Sequence, residues 1–149
     1  MDDDKNIILL DYLSLKDYKT LNEKSIIFKE KISELIEKYK ITEIIIEHFL
    51  MSFASGRTSK KVLILLAQWN GIVQYILFNE FPNVSVTLMN VRTARKRAVG
   101  VIPKGINGKE FVREFYMKKN LWEFPKNKKG NLIKEVEDML DAVVLCYAK

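Results

Sequence analysis

Residues 40–48 read KITEIIIEH and place three consecutive isoleucines immediately before Glu47. Such a density of β-branched residues is typical of a strand that is covered on both faces of a sheet. Residues 83–90, NVSVTLMN, alternate apolar and polar side chains and predict a further strand. Between the two, residues 58–80 form a long, largely apolar stretch without proline, which predicts a helix. The order strand, helix, strand indicates an α/β fold.

The flanking segments agree with an α/β interpretation. Residues 6–15, NIILLDYLSL, predict an earlier strand, and residues 22–39 predict an amphipathic helix that follows a capping box formed by Thr20 and Glu23. The core side of that helix is expected to comprise Ile26, Ile27, Ile32, Leu35 and Ile36. Three more helices are expected over residues 93–99, 108–119 and 132–148. Because the 149 residues contain no convincing linker, we expect a single domain spanning 1–149.

Charge is distributed unevenly along the chain. Residues 51–130 contain 15 basic and 4 acidic side chains, whereas residues 1–50 contain 8 and 11. A basic block of this size indicates a polyanionic partner, and a solvated lysine-rich surface is the alternative.

The cellular location of the protein is suggested by its apolar stretches, its first residues and its cysteine content. The apolar stretches are interpreted as strands or amphipathic helices, so no membrane span is expected. The acidic start, MDDDK, differs from a secretory signal, and the single cysteine, Cys146, fits a reducing compartment. We therefore expect a cytoplasmic protein.

Three carboxylates occupy positions next to predicted core elements. Glu47 ends an apolar strand, and Asp138 and Asp141 are three residues apart, so they share one face of the last helix. The residues that follow, 142–148, are almost entirely apolar and predict a buried helix. A carboxylate near a core needs compensation. Either basic side chains form ion pairs with these acids, or a Mg²⁺ or Mn²⁺ ion binds them.

Three segments, taken in order, resemble motifs of the RuvC-type Holliday junction resolvases. Residues 44–49, IIIEHF, with the polar loop 52–57 and the AQWNG of 67–71, are similar to the second acidic motif of that family and the helix after it. Residues 91–100, VRTARKRAVG, look like the family's basic segment after a strand. Residues 138–146, DMLDAVVLC, are similar to its C-terminal helix with an Asp-x-x-Asp-Ala motif.

This resemblance implies an RNase H-like mixed sheet flanked by helices. It also implies a structure-specific DNA endonuclease that resolves Holliday junctions or other branched DNA by two-metal phosphodiester hydrolysis. Glu47, Asp138 and Asp141 would be the catalytic residues and the ligands of two Mg²⁺ or Mn²⁺ ions. DNA would contact Arg57, Lys60, Lys61, Arg92, Arg95, Lys96, Arg97, Lys104 and Lys109.

The same resemblance suggests how a junction would be engaged. Phe49 and Phe53 would be candidates for an aromatic wedge that enters the branch point, with core packing as their alternative role. The helix over residues 58–80 would form the two-fold interface of a homodimer.

The chain departs from the family at its start. Family members begin with a strand that carries an Asp-x-Gly motif, and nothing here matches it; Asp11 is the nearest candidate. We interpret residues 6–15 as the second strand, so an N-terminally truncated fold with weak metal binding and little or no cleavage is expected.

The sequence leaves three alternatives to the nuclease open. The first is a non-catalytic RuvC-like protein that binds branched DNA with an incomplete metal site. The second is a domain that binds a small molecule or a nucleotide, although no glycine-rich phosphate loop follows any predicted strand. The third is a structural interaction module whose charges are incidental.

Overall fold

This computed structural model describes residues 1–2, 4–48, 59–119 and 124–149 of the chain. Within them the protein is mixed α/β. Its elements are α1 (Leu21–Tyr39), β1 (Glu43–Glu47), α2 (Lys60–Glu80), β2 (Ser85–Met89), α3 (Val91–Val99), α4 (Gly108–Lys119) and α5 (Val136–Tyr147). The chain divides into two compact units. One comprises Leu13–Leu88, and the other comprises Met1–Tyr12 together with Met89–Lys149.

β1 and β2 form a two-stranded parallel sheet. The amide of Ser85 donates a 2.9 Å hydrogen bond to the carbonyl of Thr42 where the strands begin. Parallel neighbours need a crossover connection, and α2 lies in the chain between them. The strands predicted over residues 40–48 and 83–90 are therefore confirmed. The isoleucines of β1 are half-buried, so the prediction of a strand covered on both faces is wrong for the described residues.

α1 begins at the predicted capping box. The hydroxyl of Thr20 accepts a hydrogen bond from the amide of Glu23 at 3.1 Å, and the Glu23 carboxylate accepts one from the Thr20 amide at 2.9 Å. Each bond satisfies an amide that the first helical turn leaves without a partner. The helix ends at Lys40, which has a left-handed backbone with φ of 53°. The predicted helix is confirmed, and its start is explained by this cap.

α1 packs against α2. The ring of Phe28 meets the ring of Trp69 edge-on at 5.9 Å, and Lys29 Nζ lies 2.7 Å from a carboxylate oxygen of Glu80. The prediction that Ile26 faces the core is wrong, because this side chain is 50% exposed. Residues two positions apart on a helix are separated by about 200° of rotation around its axis, so Ile26 lies on the opposite side from Phe28.

α2 is confirmed as a long helix, but it is less amphipathic than the sequence suggested. Ile76 and Leu77 are buried, whereas Ile64, Tyr75 and Phe78 are more than half exposed. By length and composition alone, α2 satisfies the criteria for a membrane-crossing helix, and among the described residues it alone does so. One such helix is weak support for a membrane location, so the expectation that no membrane span is present stays a prediction.

Residues 6–15 do not form the predicted strand; they are irregular. A strand requires a ladder of hydrogen bonds to a neighbour, and the described sheet pairs β1 with β2 alone. Ile8, Leu9 and Tyr12 remain substantially exposed. The turn expected before this segment is present, because Asp2 accepts hydrogen bonds from the amide and the side chain of Asn6.

The second unit has an apolar core built by α3, α4 and α5. The largest contribution comes from α5, as its sequence predicted; its buried side chains include Val136, Met139, Leu140, Val143, Val144 and Leu145. α3 adds Val91 and Ala94, and α4 adds Val112 and Tyr116. The Tyr147 hydroxyl donates a 3.0 Å hydrogen bond to the carbonyl of Lys5, so the first residues are tied to the end of α5.

Two helices in this unit begin elsewhere than predicted. α3 starts at Val91 rather than at residue 93, because the Asn90 side chain accepts hydrogen bonds from the next amides and caps the helix there. α5 starts at Val136 rather than at residue 132. Leu132 instead forms an antiparallel bridge with Lys126, which closes a turn and keeps this part of the chain extended.

Burial of Tyr116 predicts a loss of stability at alkaline pH. Burial, with a smaller effect of nearby Tyr147, raises the pKa of Tyr116 to about 12. Because the folded pKa exceeds the unfolded value near 10, this contribution to stability is fully present below pH 10 and is lost as pH rises towards 12. Urea unfolding between pH 9 and pH 12 should therefore show a loss of about 2 kcal/mol in the wild type that Tyr116→Phe lacks. Identical pH profiles for the two proteins would contradict the assignment.

Candidate nucleic-acid interface and acidic residues

α3 presents a basic surface to solvent. Val91 and Ala94 face the core, and the opposite side of the helix carries Arg92, Lys96 and Arg97, all exposed. These three residues are named the basic face of α3. Lys96 and Arg97 follow Arg92 by four and five positions, which places the three side chains on one side of the helix. In the part of the chain that the structure describes, no carboxylate pairs with them. Exposed cations of this kind are available to an anionic ligand.

Arg95, on the same helix, is engaged inside the protein. Its Nη2 lies 2.5 Å from Oδ1 of Asp141 on α5, and its Nε donates to the same oxygen at 3.1 Å. The side chains are 12% and 18% exposed, so the pair is largely removed from water. This contact joins Arg95, a predicted DNA-binding residue, to Asp141, a predicted metal ligand. For Asp141 it matches the alternative in which a basic side chain forms an ion pair with the acid.

A narrow cleft adjoins this ion pair. It is lined by Lys109, Val112 and Arg113 of α4 and by Glu137, Leu140 and Asp141 of α5. Its volume is about 10 Å³, which is near the minimum that holds one water molecule. Lys109 Nζ lies 3.4 Å from a carboxylate oxygen of Glu137 at the half-exposed rim. The sequence interpretation overlooked Arg113 and Glu137. The four-residue spacing of Lys109 with Arg113, and of Glu137 with Asp141, was the available signal.

The other predicted acids have different surroundings. Asp138 is exposed, although it lies one turn before Asp141 on α5. Glu47 is exposed at the end of β1, and its carbonyl accepts a 3.2 Å hydrogen bond from the Asn70 side chain of α2. Gln74 in turn donates to Asn70 at 2.6 Å. These two amides, four residues apart, fix the end of β1, a role that the sequence interpretation did not assign to them.

The remaining predicted site residues are dispersed. Lys60 and Lys61 are exposed at the start of α2, and Lys104 is exposed in the loop after α3. Asp11 is exposed and accepts a hydrogen bond from the neighbouring Tyr12 amide. The predictions for Phe49, Phe53 and Arg57 lie outside the described residues.

Few potential metal ligands lie near Asp141 in the described residues. Carboxylate oxygens are the ligand type that Mg²⁺ and Mn²⁺ prefer. Within the described ranges, no three His, Cys, Asp or Glu side chains come together to hold an ion. Oδ1 of Asp141 is already engaged by the Arg95 guanidinium. The arrangement described therefore does not fit a metal ion at that oxygen.

The chain matches no protein-family model, and no characterised protein or solved structure is significantly similar to it. The class defined by the structure is thus mixed α/β with a small parallel sheet.

The different surroundings of the two α5 aspartates predict different costs of neutralising them. Asp141→Asn should lower the free energy of unfolding by about 2 kcal/mol, because it leaves the poorly exposed Arg95 guanidinium without its charge partner. Asp138→Asn, the matched control on the same helix, should cost about 0.5 kcal/mol, because it removes an exposed charge near the helix N-terminus. Urea denaturation at neutral pH measures both values. Equal costs would contradict the assigned geometry.

Proposed function

We propose that this chain is a RuvC-like, RNase H-like nuclease domain that binds branched DNA and hydrolyses its phosphodiesters. The observation that carries the proposal is the basic face of α3. It directly follows β2 in the chain and lies on the helix that Arg95 and Asp141 join to the acid-bearing α5. This order of strand, basic helix and late acidic helix is the order of motifs that suggested the family.

Phosphate binding explains the chemistry of the basic face. Arginine and lysine that neutralise backbone phosphates give strong, salt-dependent and largely sequence-independent affinity. The three residues stand at an exposed surface in the most basic part of the chain. Arg95 differs from them, because its guanidinium is committed to Asp141 in the DNA-free protein. The basic face therefore makes the first contact with DNA, and Arg95 does not.

Removing the basic face should weaken DNA binding strongly. Changing its three residues to glutamine should lower affinity for a four-way junction on the order of 100-fold at low salt. It should also reduce the slope of log affinity against log salt by about 3, one unit for each lost phosphate contact. Fluorescence anisotropy between about 50 mM and 200 mM salt measures both quantities.

A charge-matched control separates local contact from total charge. The triple change of Lys128, Lys129 and Lys134 to glutamine removes the same charge from exposed positions outside α3. We expect it to leave junction affinity within about threefold of wild type. Equal losses in the two triple variants would refute a localised interface on α3.

Glu47, Asp138 and Asp141 are the proposed catalytic ligands for Mg²⁺ or Mn²⁺. In that family two such ions supply the activated water and stabilise the leaving oxygen. Glu47 belongs to one compact unit and the two aspartates to the other. Asp141 would be open to a metal ion only without the hydrogen bonds that it accepts from Arg95.

Nicking of a four-way junction tests catalysis. Cleavage by this chain should be weak at most, should require Mg²⁺ or Mn²⁺, and should fall to background in Glu47→Gln, while junction binding is retained. Asp11→Asn shows whether this residue supplies a further ligand. Gel analysis of labelled junctions with each ion, and with EDTA, gives the readout. Metal-independent nicking, or full activity in Glu47→Gln, would contradict the proposal.

A second candidate function is non-catalytic binding of branched DNA. The ion pair between Arg95 and Asp141 favours it, because a carboxylate held by an internal guanidinium does not need a metal to be compensated. Junction binding without any divalent-ion-dependent nicking would select this function over the nuclease.

The exposed apolar side of α2 is proposed as a homodimer contact. Ile64 is 60% exposed, and its apolar neighbours are also exposed. A contiguous apolar surface of this kind marks an interaction site. Ile64→Glu should convert a dimer to a chain of 17.4 kDa in light scattering at micromolar concentration. Val101→Glu, at a 92% exposed loop position, is the control that should stay dimeric. A monomeric wild type would refute this contact.

A further inference from the structure

We infer that α2 of one protomer packs against α2 of a second copy in antiparallel orientation, with the two-fold axis at Gly71. The absence of a side chain at residue 71 lets the two helices cross closely there. This inference rests on the homodimer contact proposed for α2. It adds the orientation and register of that contact, and it gives a reason for the glycine in the middle of the helix.

Five exposed residues form a continuous seam along α2. They recur at intervals of four, three, four and three positions, which is the period of a helix surface that faces another helix. The buried residues Ile76 and Leu77 point away from this seam, so the seam is not used for packing within the protomer. The seam of α2 comprises Ile64, Gln68, Gly71, Tyr75 and Phe78.

The seam has nearly the same spacing when it is read from either end. Ile64 and Phe78 lie seven residues before and after Gly71, and Gln68 and Tyr75 lie three before and four after it. A two-fold axis requires a surface that complements itself. With the axis at Gly71, Ile64 of one copy meets Phe78 of the second copy. Gln68 likewise meets Tyr75, and a polar pair of amide and phenol fixes the register of the two helices.

The glycine itself points to a close neighbour outside the protomer. Among the described residues, a Cβ atom at position 71 would meet no neighbouring atom within 4 Å. The position is in the middle of a helix, where glycine is less favourable than alanine. A shallow groove of about 370 Å³ lies over it, lined also by Leu21, Gln68, Ile72 and Tyr75. A second α2 that crosses at this groove uses the space that a side chain would fill.

Charges at the ends of α2 favour antiparallel over parallel pairing. The first turn carries Lys60 and Lys61 and no acid, and the helix ends at Glu80. Cations are favourable near a helix C-terminus and unfavourable near an N-terminus. Residue 60 lies 11 positions before Gly71, so antiparallel pairing brings it beside the C-terminal end of the other helix. Parallel pairing would instead bring the lysines of the two copies together.

Disulfide cross-linking reads the orientation directly. Single cysteines are introduced into the full chain carrying Cys146→Ala, which removes the native thiol. A re-equilibrated mixture of Ile64→Cys and Phe78→Cys should form a covalent dimer under mild oxidation, because the two positions face each other. Ile64→Cys alone should not, since the two copies of residue 64 would be about 21 Å apart along the helices.

A larger side chain at residue 71 should weaken the dimer without harming the protomer. Gly71→Leu should raise the dimer dissociation constant by at least about tenfold in sedimentation equilibrium. The urea midpoint of the dilute monomer should not fall, because leucine is the better helix former and its Cβ meets open space. Val62→Ala, at a 45% exposed position opposite Gly71, is the control that should keep the dissociation constant within about twofold.

The outcomes separate this inference from the proposed function. Cross-linking of Ile64→Cys with itself in place of the mixed product would overturn the antiparallel register, and a Gly71→Leu dimer as tight as wild type would overturn the axis. A monomeric wild type would overturn both the α2 contact and this inference, and its co-sedimentation with phosphatidylcholine vesicles would assign α2 to a lipid surface instead. A dimer with these properties that binds no junction would refute the proposed function alone.

Discussion

The ion pair between Arg95 and Asp141 joins two helices that both carry candidate functional residues. α3 brings the exposed basic face, and α5 brings the late aspartates together with the largest share of the apolar core. Because the pair is largely withdrawn from water, either side chain alone would be a poorly compensated charge. The chemistry assigned to one helix is therefore constrained by the other, and the basic face and the acidic residues cannot be treated as independent sites.

Local sequence signals predicted most of the secondary structure. The isoleucine run before Glu47 and the alternation in residues 83–90 predicted the two strands, and Thr20 with Glu23 predicted the start of α1. These signals succeed because capping and periodicity act over a few residues. Residues 6–15 have a similar composition but form no strand, since a strand also needs a partner, and partners are set by tertiary structure.

The site was predictable in its residue types but not in its pairings. Sequence placed acids beside core elements and a cluster of cations after β2. It could not show that Arg95, rather than Arg92, would turn towards Asp141, which lies 46 residues away. Nor could it show that Asn70 would reach the carbonyl of Glu47, 23 residues earlier. Such contacts depend on how each helix is rotated and packed. From the sequence, Arg95 and Asn70 could be recognised only as polar residues on helices.

A double-mutant cycle on Arg95 and Asp141 tests the central contact most directly. The free energies of unfolding of wild type, Arg95→Gln, Asp141→Asn and the double variant give the coupling energy between the two side chains. The account predicts a favourable coupling of at least about 1 kcal/mol, so that the double variant is more stable than the sum of the single losses implies. Strictly additive losses would contradict it, because they would mean that the guanidinium and the carboxylate do not interact.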